Sequence, residues 1–136
     1  MIYLLDTNIC IYIIKKKPIE VLSHFTNMNM GTIGISSITL SELEYGAYKS
    51  QQRENNLLAL EMFITPLNIL LYNANAARIY GKIRSNLEAK GKPIGSMDML
   101  IAAHAISENC ILVTNNEKEF SYITELKIEN WVTKTL

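Results

Sequence analysis

The stretch Met1-Ile2-Tyr3-Leu4-Leu5-Asp6-Thr7-Asn8-Ile9-Cys10 (MIYLLDTNIC) decides how this chain is read. Residues Ile2 to Leu5 form an apolar run without polar alternation, the pattern of a short strand covered on both faces. The run ends on an acid, Asp6. From Thr7 to Lys16 the spacing turns helical, with Ile9, Tyr12 and Ile13 on one face. A buried strand that passes straight into a helix, with a carboxylate at the junction, is the first half of a β–α unit.

The same alternation continues. Pro18 suits the first turn of a second helix that carries Val21, Leu22 and Phe25 inward. Thr32–Ser36 reads as strand two, followed by helices over Ile38–Lys49 and Arg53–Ile64, the latter ended by Pro66. Leu67–Leu71 reads as strand three. A long helix over Asn73–Glu88 is closed by Gly91, with Pro93 beyond it. A further helix spans Met97–Glu108, Cys110–Val113 is strand four, and Ile128–Trp131 is a short last strand. Short strands alternating with helices imply right-handed crossovers and a mostly parallel sheet, the α/β class. In such sheets the ligand crevice lies outside the carboxyl ends of the strands, which is where Asp6 falls.

The chain has 136 residues, 49% of them apolar and 19% charged. It suits a globular fold with one core, and no repeat or linker divides it, so one domain over 1–136 is expected. The formal net charge is zero, so no global field draws the protein to nucleic acid or membrane, and polyanion binding must come from local patches. Cys10 and Cys110 sit among apolar neighbours and read as small buried hydrophobes rather than a disulfide or zinc site. No signal peptide precedes Asp6 and no apolar run approaches the roughly 18 residues of a membrane span, so a cytoplasmic location is expected.

Three acids fall on one edge of such a sheet. Asp6 follows strand one. Glu42 lies one turn into the helix after strand two, and Asp98 in the first turn of the helix before strand four. Each has a structural explanation. Asp6 suits an N-cap. Glu42 lies three residues after Thr39, the spacing of a capping box. Asp98 follows Ser96, a good N-cap, and the helix dipole favours an acid there. Together they suggest chemistry, because two carboxylates about 4 Å apart repel by roughly 4 kcal/mol at an effective dielectric of 20. Hard divalent cations relieve such a cluster, and Mg²⁺ binds through one or two carboxylates while keeping waters. Beyond strand four, Thr114, Asn115 and Asn116 offer a hydroxyl and amides that suit either turn chemistry or the orienting of a water or phosphate.

Several segments, in order and in register, carry a family resemblance: LLDTNICIY, ISSITLSELEYG, GKPIGSMDMLIAAHA, LVTNNEKEF and the late IENW. The chain resembles the PIN-domain ribonucleases and, more narrowly, the VapC toxins of bacterial type II toxin–antitoxin modules, from residue 1 to about residue 131. The resemblance implies a three-layer α/β/α fold with a parallel sheet of four to five strands, and cleavage of RNA by an endonuclease that depends on Mg²⁺ or Mn²⁺. It maps the family's acidic site onto Asp6, Glu42 and Asp98, with Asp6 and Asp98 as metal ligands and Glu42 positioning the metal or its water. One departure stands out. Many PIN domains carry a further acid after strand four in a T-x-D pattern, where this chain has Thr114-Asn115-Asn116. Asn116 can hold a water or ligand but brings no charge; Glu119, one turn on, either contributes to the site or, the preferred reading, is structural beside Phe120. The resemblance also implies a homodimer, a VapB antitoxin that blocks the acidic cleft, and operator DNA bound only through that antitoxin. Its similarity to enteric VapC proteins leans toward tRNA as substrate, cut in the initiator anticodon stem-loop.

Local patches complete the reading. Lys15, Lys16 and Lys17 follow the first helix, and Arg78 and Lys82 share a face of the long helix, with Arg84 and Lys90 nearby. Such groups either hold RNA phosphates or form solvated faces. Tyr45, Tyr48, Tyr72 and Tyr80 suit base stacking, core or dimer contacts. The helices over 38–48 and 53–64 carry more apolar positions than one sheet face covers, a surface for the antitoxin or a second protomer. His24 and His104 lack ligand partners and read as structural. Two rival functions stay in view: a regulatory binding module without turnover, and a phosphatase with an aspartyl nucleophile at Asp6. The latter needs a second acid two residues on, where Asn8 stands.

Overall fold

Leu4 and Leu5 are adjacent in the first strand, and both are fully buried, on opposite faces of the sheet. Leu112 and Val113 divide in the same way in the fourth. That is the expected consequence of a period-two strand with helices on both sides. The structure, a computed structural model, describes residues 2–133. Residues 1 and 134–136, part of the domain expected over 1–136, lie outside the described residues.

The elements run β1 (Tyr3–Leu5), α1 (Thr7–Lys15), α2 (Ile19–Thr26), a single 3₁₀ turn (Met30–Thr32), β2 (Ile33–Ser36), α3 (Ser37–Lys49), α4 (Arg53–Ile64) and β3 (Asn68–Leu70). They continue α5 (Ala74–Ala89), α6 (Ser96–Ser107), β4 (Ile111–Val113), α7 (Glu117–Phe120) and β5 (Lys127–Glu129). The five strands are parallel in the order β3-β2-β1-β4-β5. The chain builds outward from β1 to β3 and then returns to the other side of β1. The strand order therefore reverses between β1 and β4, and that is where α/β proteins open a crevice.

Helices α1 to α4 cover one face through Ile9, Ile13, Val21, Leu43, Leu60 and Phe63. Helices α5 and α6 cover the other. α6 is apolar on nearly every side, and Met99 and the run Ile101–Ala105 are all buried. Its alanines let it lie close to both the sheet and α5. Two glycines are required by their surroundings. A Cβ on Gly34 would come within 3.0 Å of the Asn68 carbonyl of the neighbouring strand, and Gly91 follows α5 with φ +68°.

Several sequence expectations shift. Thr32 belongs to the 3₁₀ turn rather than to β2. α7, only four residues long, carries too little periodicity to be seen in advance. The last strand is Lys127–Glu129 rather than Ile128–Trp131. Trp131 leaves the sheet to bury its ring, stacking on His24 at 4.3 Å and donating its indole N–H to Glu129 at 3.2 Å. Ser96 is the first helical residue of α6, and the cap position is Gly95. Thr39 does not head a capping box. α3 begins at Ser37, and Ser36 caps it by accepting from the Ile38 N–H at 3.0 Å. Both cysteines are free and buried, as expected. Among the described residues, no helix is long and apolar enough to cross a membrane.

Candidate active site

Asp6 leaves β1 with its backbone N–H donating to the Val113 carbonyl at 3.0 Å, so the junction is pinned at the β1–β4 boundary. Its Oδ1 accepts from the Ile9 N–H at 2.9 Å and caps α1. The capping role is therefore real, but it leaves Asp6 in an unfavourable place. The side chain is buried, and its carboxyl is pushed up to about 6. Burial is the main cause. Hydrogen bonds from the Thr114 hydroxyl and the Ile9 N–H pull it down, while the charges of Asp98 and Glu42 raise it further.

Glu42 projects from the second turn of α3, half-buried, and Oε1 accepts from the Thr7 hydroxyl at 2.7 Å. This bond joins the first turn of α1 to α3. Asp98, also half-buried, is in the first turn of α6. Its carboxyl is raised by burial, then by the charge of Glu119, then by that of Glu42. Asn116 follows β4. Its N–H donates to Thr114 Oγ1 at 3.0 Å, and its side-chain Nδ2 donates to Glu119 Oε2 at 3.0 Å.

Asp6, Glu42 and Asp98 act on one another's charge, Asn116 joins them through Glu119, and two neighbours enter the same region. Of the two roles open to Glu119, the contact to Phe120 gives way to the site, and the two residues separate. Phe120 is buried in the core, while Glu119 is exposed and lends its charge to Asp98. The signal was its place one turn beyond Asn116. Thr7, which directly follows Asp6 in the opening motif, enters the site through its bond to Glu42, a role no sequence pattern marks. Thr114 is fully buried and committed to Asp6, so it is not available to orient a water or phosphate outside.

Among the described residues, no three His, Cys, Asp or Glu side chains stand together at metal-coordinating separation. The acids lie within each other's field without closing on a common point. This suits a hard, well-hydrated dication, which needs only one or two carboxylates and retains its waters. The all-oxygen donor set does not suit a soft metal. The raised carboxyls of Asp6 and Asp98 mark negative charge that, among the described residues, no cation offsets.

Other candidates lie apart. His24 stacks on Trp131 and stands 3.8 Å from Glu129. His104 is fully buried with Nδ1 2.7 Å from Ser36 Oγ. Tyr80 accepts from Arg84, and Tyr72 meets the edge of His104, so these two serve internal contacts. Tyr45 and Tyr48 are exposed under Lys49 and Arg53. Lys15, Lys16, Lys17, Arg78 and Lys82 are exposed. A cavity of about 470 Å³ between α1, α3 and α4 is walled by Ile11, Ile14, Leu43 and Leu60, with Lys15 and Glu42 among its lining residues.

Comparison with known proteins agrees with this fold. The PIN domain family model matches residues 3–126. Ribonuclease VapC2 of Haemophilus influenzae is 50% identical over 130 residues, covering 96% of this chain and 98% of the relative. The tRNA(fMet)-specific endonuclease VapC of Shigella flexneri is 48% identical over 129 residues, covering 95% and 97%. VapBC2 from Rickettsia felis, solved bound to a DNA fragment from its promoter, superposes with a TM-score of 0.89 at 46% identity, covering 97% of this chain and 100% of that one. PIN-domain ribonucleases generally depend on a divalent metal. With its acids gathered at the β1–β4 crevice of a five-stranded parallel sheet, this chain belongs to the PIN-domain family and, within it, to the VapC endoribonucleases of toxin–antitoxin modules.

Proposed function

We propose that this chain is a VapC toxin that hydrolyses RNA phosphodiester bonds with Mg²⁺, which Mn²⁺ can replace, and that Asp6 and Asp98 hold the ion. The observation that carries this reading is the burial of the Asp6 carboxyl at a strand-order reversal, where the charges of Asp98 and Glu42 act on it. A dication bound there would neutralise the acids and polarise a phosphoryl oxygen.

The chain's own residues divide the remaining work. Ile9 N–H and the Thr114 hydroxyl fix the orientation of Asp6. Thr7 fixes Glu42, which would position the ion or its water. Asn116 assists by holding Glu119, the acid nearest to the missing T-x-D position.

The substrate we infer is tRNA, with the initiator anticodon stem-loop as the preferred target. The printed name of the Shigella relative supports it. The partner is a VapB antitoxin, supported by the solved VapBC complexes. The apolar cavity beside Glu42 offers that antitoxin a seat near the acids. Operator DNA is reached only through the antitoxin. A homodimer, a single domain over 1–136 and a cytoplasmic location complete the reading. The exposed Tyr45, Tyr48, Leu58 and Met62 of α3 and α4 supply surface for a second chain. The phosphatase rival lacks its second acid, since Asn8 stands there exposed.

The test is cleavage of purified initiator tRNA by the protein with Mg²⁺, with EDTA, and after Asp6→Asn. Cleavage in the first sample alone is expected. Equal cleavage in all three would remove the acidic site from the reaction.

A further inference from the structure

The buried pair Ser36–His104 lies 68 residues apart in sequence and joins the two helices that carry Glu42 and Asp98. Ser36 ends β2 and caps α3, and Glu42 follows six residues later on that helix. His104 sits on α6, six residues after Asp98. Both residues are fully buried, and Nδ1 of the ring is 2.7 Å from Ser36 Oγ. The Ser36 oxygen already accepts from the Ile38 N–H, so its hydrogen is free to donate to Nδ1. Nδ1 is then the acceptor, and the ring's proton belongs on Nε2. Among the described residues, Nε2 is buried without a hydrogen-bond partner, so the bond to Ser36 is the polar contact that orients the ring.

The exit from β3 is tied into the same place. The Tyr72 N–H donates to Ser37 Oγ at 3.1 Å, and the Tyr72 ring meets His104 edge-on at 5.6 Å. Here β2, β3, α3 and α6 are joined through neutral hydrogen bonds. α3 and α6 share little packed surface compared with α5 and α6. Their acids also push each other apart, because Glu42 raises Asp98. A neutral polar tether between the two helices opposes that separation without adding charge to the site.

We propose that Ser36 and His104 are positioning residues for catalysis: their hydrogen bond fixes α3 against α6 so that Glu42 and Asp98 face one ion. The proposal rests on the acidic-site reading above. It predicts that loss of the bond loosens the site more than the fold, lowering kcat and weakening cation binding while leaving KM for RNA nearly unchanged.

The experiment compares His104→Leu, His104→Asn, Ser36→Ala and Ser36→Thr with the parent, each first checked for a cooperative melt above the assay temperature. Asn places a side-chain acceptor near the position of Nδ1, and Thr keeps the hydroxyl. In His104→Leu and Ser36→Ala, kcat is expected to fall at least tenfold with KM within twofold. Mn²⁺ binding, followed by electron paramagnetic resonance on the protein without RNA, should weaken at least fivefold. His104→Asn and Ser36→Thr should recover most of both. Folded His104→Leu or Ser36→Ala with parental kcat and Mn²⁺ affinity would overturn the proposal, as would conservative variants no better than the apolar ones. Should His104→Leu fail to fold, the Ser36 pair decides by the same criteria. Asp98→Asn in the same assays keeps the two readings apart. Full activity there defeats the acidic site itself, whereas an inactive Asp98→Asn beside unaffected Ser36 variants defeats only the tether.

Discussion

Thr7 and Glu42 are 35 residues apart and meet across the α1–α3 boundary, the Thr7 hydroxyl donating to Glu42 Oε1 at 2.7 Å. The bond leaves that carboxylate one fewer direction in which to turn, and it does so from the residue that follows Asp6. Two of the acids are therefore set by neighbouring positions on one short segment.

Thr7→Val keeps the shape and removes the donor. The kcat for RNA cleavage should fall by about tenfold, the equivalent of about 1.4 kcal/mol, while stability falls by only about 1 kcal/mol because half-buried Glu42 regains water. Steady-state kinetics beside a urea melt measures both. An unchanged kcat would mean that Glu42 needs no orienting.

Asp6→Asn should stabilise the fold while abolishing cleavage. The folded carboxyl is raised from 3.8 to about 6. Its contribution is therefore fully present below about pH 4 and is lost as pH rises through 6. By neutral pH the ionised form costs about 3 kcal/mol, at about 1.4 kcal/mol per unit of pKa. Urea unfolding without divalent cations should show the variant more stable than the parent by about 1–3 kcal/mol at pH 7.5, with the gap closing near pH 4. A variant that is less stable at pH 7.5 would show that the capping bond to Ile9 outweighs the buried charge.

Cation binding at Asp6 must displace a proton below pH 6. Saturating Mg²⁺ should raise Tm by several degrees at pH 7.5 and by much less at pH 5, since a ligand stabilises only the state that binds it. Thermal melts at the two pH values check this. Equal shifts would place the ion away from Asp6.

Asn116→Asp restores an acid at the T-x-D position and replaces the 3.0 Å amide bond to Glu119 with two facing carboxylates. Without cation the variant should lose about 1 kcal/mol, a figure kept small because Glu119 is exposed. Its Mn²⁺ affinity should rise severalfold. Isothermal titration with Mn²⁺ reads both affinity and stoichiometry, and a second bound ion would show that the asparagine limits the site to one. No change in either would separate Asn116 from the ion.

Much of the fold was legible because it is local. The apolar run before Asp6, the helical spacing after Thr7, Pro66 after α4 and Gly91 after α5 are signals within a few residues of the features they mark. The misreadings were equally local. Thr39 has capping-box spacing to Glu42, but Ser36 takes the cap, and Ser96 looks like a cap while Gly95 occupies that position. Such motifs compete over one or two residues, and packing decides between them. Trp131 ends the expected last strand, but the core claims its ring.

By itself the sequence determined the alternation of strands and helices, the burial of both sheet faces, and the placement of Asp6, Glu42 and Asp98 at the ends of elements, all consequences of short-range periodicity and chain stiffness. The strand order β3-β2-β1-β4-β5, the bond from Thr7 to Glu42, the recruitment of Glu119 and the Ser36–His104 tether belong to the tertiary structure alone. Each joins residues whose separation along the chain carries no information about their separation in space. Only when the chain returns across β1 do the carboxylates come within range of each other, and Coulomb repulsion, falling with distance, begins to act.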